Sequence, residues 1–212
     1  TDINDFNTLQ IVGEDKAKGK MYAEQRRRKK FEKAATDVAE YLKGLGTVVT
    51  IEKANSFNIP RITQLTQKTN QFNMATRRYM EEDIKKLSIS GNFLIVCAKV
   101  EDKFGNHGIV GTTIVEKNTN EWRIDTFLLS CRVIGRKIEE ALLASILEEA
   151  RKGKARKLIG EFISTNKNMP AKSFYNDSGF ELAGSNGTKE IWSYDLEKAF
   201  VFPQFIKIIT ND

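Results

Sequence analysis

Apolar positions set the first outline of the chain. Phe31, Ala34, Ala35, Val38, Leu42 and Leu45 recur at three- and four-residue steps in the proline-free stretch 14–45. That spacing predicts one long helix with a single apolar face, stopped by Gly44 and Gly46. The β-branched run 47–51 predicts a strand. Asn58 and Pro60 then open a helix with Ile59, Ile62, Leu65 and Phe72 on or near one side, followed by a second helix over about 76–87. Apolar runs at 93–100, 109–115 and 122–133, divided by the turn-rich DKFGNHG and EKNTNE, read as an antiparallel meander. A helix starting near Gly135 aligns Ile138, Ala141, Leu142, Ser145 and Ile146, with Arg151 and Lys152 in its last turn and Gly153 as its stop. A strand at 157–164, a helix at 170–177 and strands at 180–183 and 190–195 complete the order β, α, α, β, β, β, α, β, α, β, β. The tail FVFPQFIKII is expected to dock as an edge segment bearing Pro203.

Charge changes the picture mainly at the start. The 212 residues carry 34 Lys and Arg against 28 Asp and Glu, a net +6, and residues 14–37 alone hold nine basic and five acidic side chains. The run from Arg26 to Lys30 has no interleaved aromatics for base stacking, which argues against nucleic acid and leaves a solvated face or an acidic protein partner. No apolar run reaches the ~18 residues of a membrane span, and the polar start TDINDFNTLQ has no secretory h-region. Two cysteines, Cys97 and Cys131, form no disulfide framework, so a reducing cytoplasm is the expected compartment. With one histidine, His107, neither a Ser-His-Asp triad nor a histidine zinc site can be built from this chain alone, and no metal is expected.

Candidate chemistry concentrates where the third meander strand runs into a helix, LLSCRVIGRKIEEALL. Leu129, Ser130, Arg132, Val133, Ile134, Gly135, Arg136 and Lys137 surround a helix start whose free N–H groups suit phosphate. Equally, Gly135 relieves a tight turn and the arginines are solvated. Cys131, next to Arg132, is either a nucleophile or a small buried hydrophobe; Cys97 reads as core. Asp125 is a candidate base or substrate-orienting carboxylate, or the partner of Arg123 or a neighbouring strand. His107, near Asp102 and Asn106, either shapes its turn or meets substrate. Gln64, Gln67, Lys68, Thr69, Asn70, Gln71 and Asn73 form a polar run too dense for an ordinary amphipathic helix, with Arg77 and Arg78 behind it. These side chains either recognise hydroxyl, carbonyl and phosphate groups or cap helix ends and hold the loop.

The element order together with Arg132-x-x-Gly135-x-Lys137 resembles the GNAT acetyltransferase superfamily, whose pattern here is Gln/Arg-x-x-Gly-x-Gly/Ala. The resemblance implies an α/β (α+β) fold with a central mixed, mostly antiparallel sheet flanked by helices. It further implies coenzyme A with its pyrophosphate on this loop and its pantetheine arm in a splay between the 122–133 and 157–164 strands. Lys137 stands where the pattern has a small residue, and either crowds the diphosphate or adds a cation to it. The segment NMPAKSFYNDSGFEL resembles the superfamily's Asn, Tyr and Gly-Phe stretch at Asn168, Tyr175, Gly179 and Phe180. By that likeness Tyr175 would protonate a departing thiolate and Asn168 would contact pantetheine; by packing alone, Phe174 and Tyr175 would simply seat a short helix.

Three stretches, RITQLTQKTNQFNMATRRY, KFGNHGIVG and IDTFLLSCRVIGR, resemble the carboxy-terminal part of FkbH-like proteins (HAD subfamily IIIC) of polyketide and related carrier-protein pathways. That likeness spans nearly the whole chain. It implies transfer of a glyceryl or other acyl unit to the phosphopantetheine thiol of an acyl carrier protein, with a HAD phosphatase-like domain as partner. Its DxDx[TV] motif does not occur here. Residues 1–46 would be a linker with a basic helix, and 47–212 the GNAT-like domain. The rival expectations are a coenzyme A dependent N-acetyltransferase and a carrier-docking module without chemistry.

Overall fold

The expected single amino-terminal helix is two, α1 (Asn4–Ala34) and α2 (Val38–Leu45). The computed structural model describes residues 4–211, with side chains from residue 19 onward. Asp37 makes the break. Its backbone is extended, its Oδ1 accepts from the Glu40 N–H at 2.8 Å, and the Glu40 carboxylate accepts in return from the Thr36 N–H at 2.7 Å. Gly46, left-handed at φ 61°, closes α2 as the sequence predicts.

The chain continues as β1 (Val48–Lys53), α3 (Ile59–Lys68), β2 (Phe72–Asn73), α4 (Glu81–Ile89), β3 (Phe93–Asp102), β4 (Gly105–Lys117), β5 (Glu121–Leu129), α5 (Ile138–Lys152), β6 (Lys157–Ile163), α6 (Phe174–Asp177), β7 (Glu181–Asn186), β8 (Lys189–Asp195) and β9 (Lys207–Asn211). The predicted order holds apart from β2, which no sequence pattern announced between the two helices, and from differences at element ends. The second helix of the predicted pair begins at Glu81, because residues 76–80 form an arm that crosses the sheet. The 122–133 strand ends at Leu129, and Cys131–Val133 form a 3₁₀ turn. Helix α5 starts three residues beyond Gly135. The tail does form an edge strand, β9 parallel to β1, with Pro203 lying ahead of the paired residues.

The mixed sheet runs β7-β8-β6-β5-β4-β3-β1-β9, antiparallel except at β5–β6 and β1–β9. Alternation along β3 divides the core. Leu94, Val96, Ala98 and Val100 face the layer holding α5, while Ile95 and Cys97 face α3 and α4 through Ile59, Ile62 and Ile84. Helix α5 buries Ile138, Ala141, Leu142, Ile146 and Leu147 completely. Each buried Leu or Ile contributes about 1.5–3 kcal/mol, which fixes the helix across the sheet. Cys97 is core, as its apolar run predicts, and burial pushes its thiol up to about 12. Among the described residues no helix is long and apolar enough to cross a membrane.

Two irregularities shape the centre of the sheet. The parallel β5–β6 ladder holds only at Glu121↔Lys157, Trp122↔Leu158 and Arg123↔Ile159, after which the strands diverge into a wedge. Just there β4 pairs with Ile124 and then Thr126 of β5, leaving Asp125 as the extra residue of a bulge.

Candidate functional site

The wedge between β5 and β6 is filled by the chain itself. Residues 69–80 leave α3 and send β2 along the free edge of β5, pairing Phe72 with Leu129 and Asn73 with Leu128. The Met74 N–H donates to the Phe127 carbonyl at 3.0 Å, and the Ile163 N–H of β6 donates to the Met74 carbonyl at 2.8 Å. One short segment therefore satisfies backbone groups of both diverging strands. Asn168 locks it in place: its side-chain amide donates to the carbonyls of Asn73 and Ile163, each at 2.9 Å, while its Oδ1 accepts from the Thr165 N–H. Asn73, fully buried, donates to the Thr69 carbonyl and accepts from the Thr76 N–H. Phe72 packs edge-on against Phe174, ring centroids 5.4 Å apart.

Behind this clasp the arm 76–80 lays Arg77 across the wedge. Its guanidinium lies 3.1 Å from Asp125 Oδ2 and 2.6 Å from Glu161 Oε1 on β6, and donates to the Asp125 carbonyl. Asp125 also accepts from Thr126 Oγ1 and the Tyr79 hydroxyl, and Glu161 pairs with Lys189. Burial and then the bond to Asp125 push the Tyr79 phenol far up, so it stays a donor. Asp125 thus pairs across the wedge rather than with Arg123, whose partner is Glu121. Sequence reading missed Glu161, Tyr79 and Lys189; in KLIGEFI the lone glutamate of a buried strand was the available signal.

Most of the polar run braces the loop. Gln67 donates to the Tyr79 carbonyl at 2.8 Å, and Arg78 donates to the Thr69 carbonyl, the Thr66 carbonyl and Asn70 Oδ1. Lys68 and Gln71 are exposed. Tyr175 is wholly buried, its ring against Gly160. Its hydroxyl is sealed beside the Glu161 backbone and makes no hydrogen bond of normal geometry among the described residues. Burial, reinforced by the Glu161 charge, pushes that phenol strongly up.

The loop before α5 is less open to phosphate than its sequence suggests. Gly135 is left-handed at φ 81° with open space where a Cβ would stand, and Lys137 is left-handed at φ 64°. Lys137 pairs with Glu140 at 2.5 Å. The Glu139 carboxylate lies at the start of α5 with its Oε2 buried and unpartnered among the described residues, and burial raises it. Val133 is buried, Ile134 packs on the main core, and Leu129 fills the space over Gly111. Ser130 donates its N–H to the Val110 carbonyl. Cys131 and Arg132 are exposed, and Arg132 reaches Ser130 Oγ at 3.4 Å.

Arg136 and His107 belong instead to a buried knot around Asp102. Arg28 of α1, 3% exposed, grips that carboxylate through two bonds of 2.8 and 2.9 Å; His107 Nε2 lies at 3.0 Å and Arg136 at 3.3 Å. Burial alone would raise Asp102, but the bonds from His107, Arg28 and the Phe104 N–H outweigh it and hold the carboxyl well below the usual range. This corrects the expectation of a solvated Arg26–Lys30 face: Arg28 points into the domain. It also corrects the expectation of a phosphate-facing or solvated Arg136.

Coenzyme A implies a pantetheine arm in the wedge and a diphosphate at the start of α5. With residues 72–74 paired to both strands, the residues present do not fit that arm in this conformation.

No family model matches the sequence, and no curated protein matches it. Solved structures do match in shape. An acetyltransferase of the GNAT family from Desulfovibrio desulfuricans, described as putative in its name, superposes with a TM-score of 0.56 at 16% identity, over 70% of this chain and 99% of its own. The ribosomal-protein-S18-alanine N-acetyltransferase of Escherichia coli gives 0.54 at 14% identity, over 71% and 96%. The PaiA N-acetyltransferase of Thermoplasma acidophilum, solved in complex with coenzyme A, gives 0.51 at 14% identity, over 69% and 98%. At such identities the likeness concerns architecture: the chain has the fold of the GNAT acetyltransferases.

Proposed function

We propose that this chain is the carrier-receiving, GNAT-like domain of an FkbH-like protein, serving transfer of a glyceryl or other acyl unit to the phosphopantetheine thiol of an acyl carrier protein. The observation that carries this reading is the clasp. The stretch 61–79, one of the three that bear the FkbH-like resemblance, is the stretch that fills the wedge and supplies Arg77 to Asp125 and Glu161. With its own pantetheine path closed, the domain would hold a carrier by its protein surface and leave the arm free for the partner domain, rather than consume free acetyl-CoA. The exposed Arg26, Arg27, Lys29 and Lys30 favour an acidic carrier surface. Phosphate chemistry is assigned to the HAD partner domain, and residues 1–46 to the connection with it.

Calorimetry with acetyl-CoA, pantetheine and a holo acyl carrier protein tests the proposal. Carrier binding that weakens with salt, with no heat from acetyl-CoA, is the expected result. Tight acetyl-CoA binding accompanied by acetylation of an amine would overturn it in favour of the N-acetyltransferase reading, which the shape of the fold supports and which requires residues 72–74 to leave the wedge.

A further inference from the structure

On the α3 side of the sheet, away from the wedge, a cavity of about 680 Å³ opens between the start of α3, β1, β3, the first part of β4 and the loop before α5. Its size falls within the range of small-molecule sites. Arg61, Lys99 and Arg132 line it, opposed by one carboxylate, Glu52. None of the three cations has a carboxylate partner among the described residues. Arg61 is held in position by donating to the Ile109 carbonyl at 3.2 Å and to Gln64. Burial, and then the charge of Arg132, lower the Arg61 guanidinium from its usual value. Two guanidiniums near each other in a partly desolvated wall, with Glu52 as the one carboxylate lining the same cavity, constitute a net positive field. His107 also borders the cavity, but its Nε2 is engaged by Asp102.

We propose that this cavity binds a phosphate monoester, with its oxyanion among Arg61, Lys99 and Arg132 and its organic part against Phe57. Three cations and one carboxylate leave the wall doubly positive, the complement of a monoester dianion, and planar guanidinium forks match phosphate oxygens. Phe57, 93% exposed at the rim, is an aromatic plate without a packing partner there. The site stands apart from the carrier reading, since it uses neither the wedge nor the basic face of α1.

Calorimetry of the full chain with phenyl phosphate, with inorganic phosphate as competitor, tests this. Lys99→Gln and Arg132→Gln alter exposed side chains, so their melting should match the parent while each weakens binding roughly tenfold or more. Glu52→Gln should tighten it. Absence of heat at millimolar phenyl phosphate, or the same affinity in all three variants, overturns the assignment. Phosphate can also arrive on the prosthetic arm of a carrier protein, as a diester. Displacement of phenyl phosphate by a holo carrier but not by its apo form would show that the site takes that diester and overturn the monoester assignment, and indifference to both forms would support a free monoester.

Discussion

Gly160 and Tyr175 are packed as a pair. A Cβ at Gly160 would come within 2.4 Å of the Tyr175 ring, which is enclosed on all sides by Phe174, Phe180 and the sheet. Gly160→Ala should therefore cost about 1–3 kcal/mol through overpacking, read as a lowered urea midpoint. Tyr175→Phe removes a buried hydroxyl without a good partner, so stability should hold or rise and carrier binding should not change. A drop in midpoint would mean that the hydroxyl finds a partner in solution, and a loss of acyl transfer would restore it as the general acid. Cys131 is exposed and has no base beside it in sequence, so Cys131→Ala should keep both fold and carrier binding. A Cys131-dependent acyl adduct, seen by intact-protein mass spectrometry of the parent, would contradict that expectation. Asp102 carries the largest expected single-residue effect. Asp102→Asn leaves Arg28 and Arg136 buried without their counter-charge and should cost about 3–5 kcal/mol. Its folded carboxyl titrates below its unfolded value of ~3.9, so its contribution is complete above that pH. That contribution begins to fade once pH falls below the unfolded value and is gone by the lower folded value. Acid titration of the parent should thus keep α1 docked through pH 4, followed by hydrogen exchange of residues 19–34.

At the scale of elements, sequence periodicity was informative where a helix or strand buries a repeating face. α5 and the β3–β5 meander announce themselves through Ile138, Ala141, Leu142 and the runs FLIVCAKV and IDTFLL. β2 is two residues long and has no period to detect; its existence depends on β5 and β6 parting, a tertiary event. The split of α1 from α2 escaped because Ala34, Ala35 and Val38 keep a helical spacing across a break that Asp37 imposes by capping. For the site, Asp125 was legible as a carboxylate in an apolar strand and Arg77 as one of two arginines behind the polar run, whereas Glu161 required knowing that β6 faces Arg77 across the wedge. Arg28 could not be told from its neighbours in RRRKK, since only the position of Asp102 decides which arginine turns inward. Of the three arginines, charge reversal is therefore informative at Arg26 and Arg27. That double variant should slow association with an acidic carrier and flatten its salt dependence in stopped flow, with melting unchanged. Unaltered rates would mean that this face meets no carrier.

Across the whole molecule, α1 and α2 act as a brace on the far end of the β3–β4 hairpin. Phe31 packs on Tyr41 and Phe104, Lys103 lies over the Phe31 ring, and Arg28 reaches Asp102. The boundary proposed at residue 46 is thus crossed by a buried ion pair and an aromatic cluster, and the amino-terminal segment shares the stability of the sheet it rests on.

The clasp at residues 72–74 also makes two halves of the sheet one mechanical body. Without it, the backbone of β6 would be paired to β5 only at the three positions of the closed end of the wedge, and the carboxy-terminal strands could swing like a door on that seam. The amides of Met74 and Ile163 are the two latches, one on each jamb. They should exchange with deuterium at a common rate, and any ligand that enters the seam should accelerate both together.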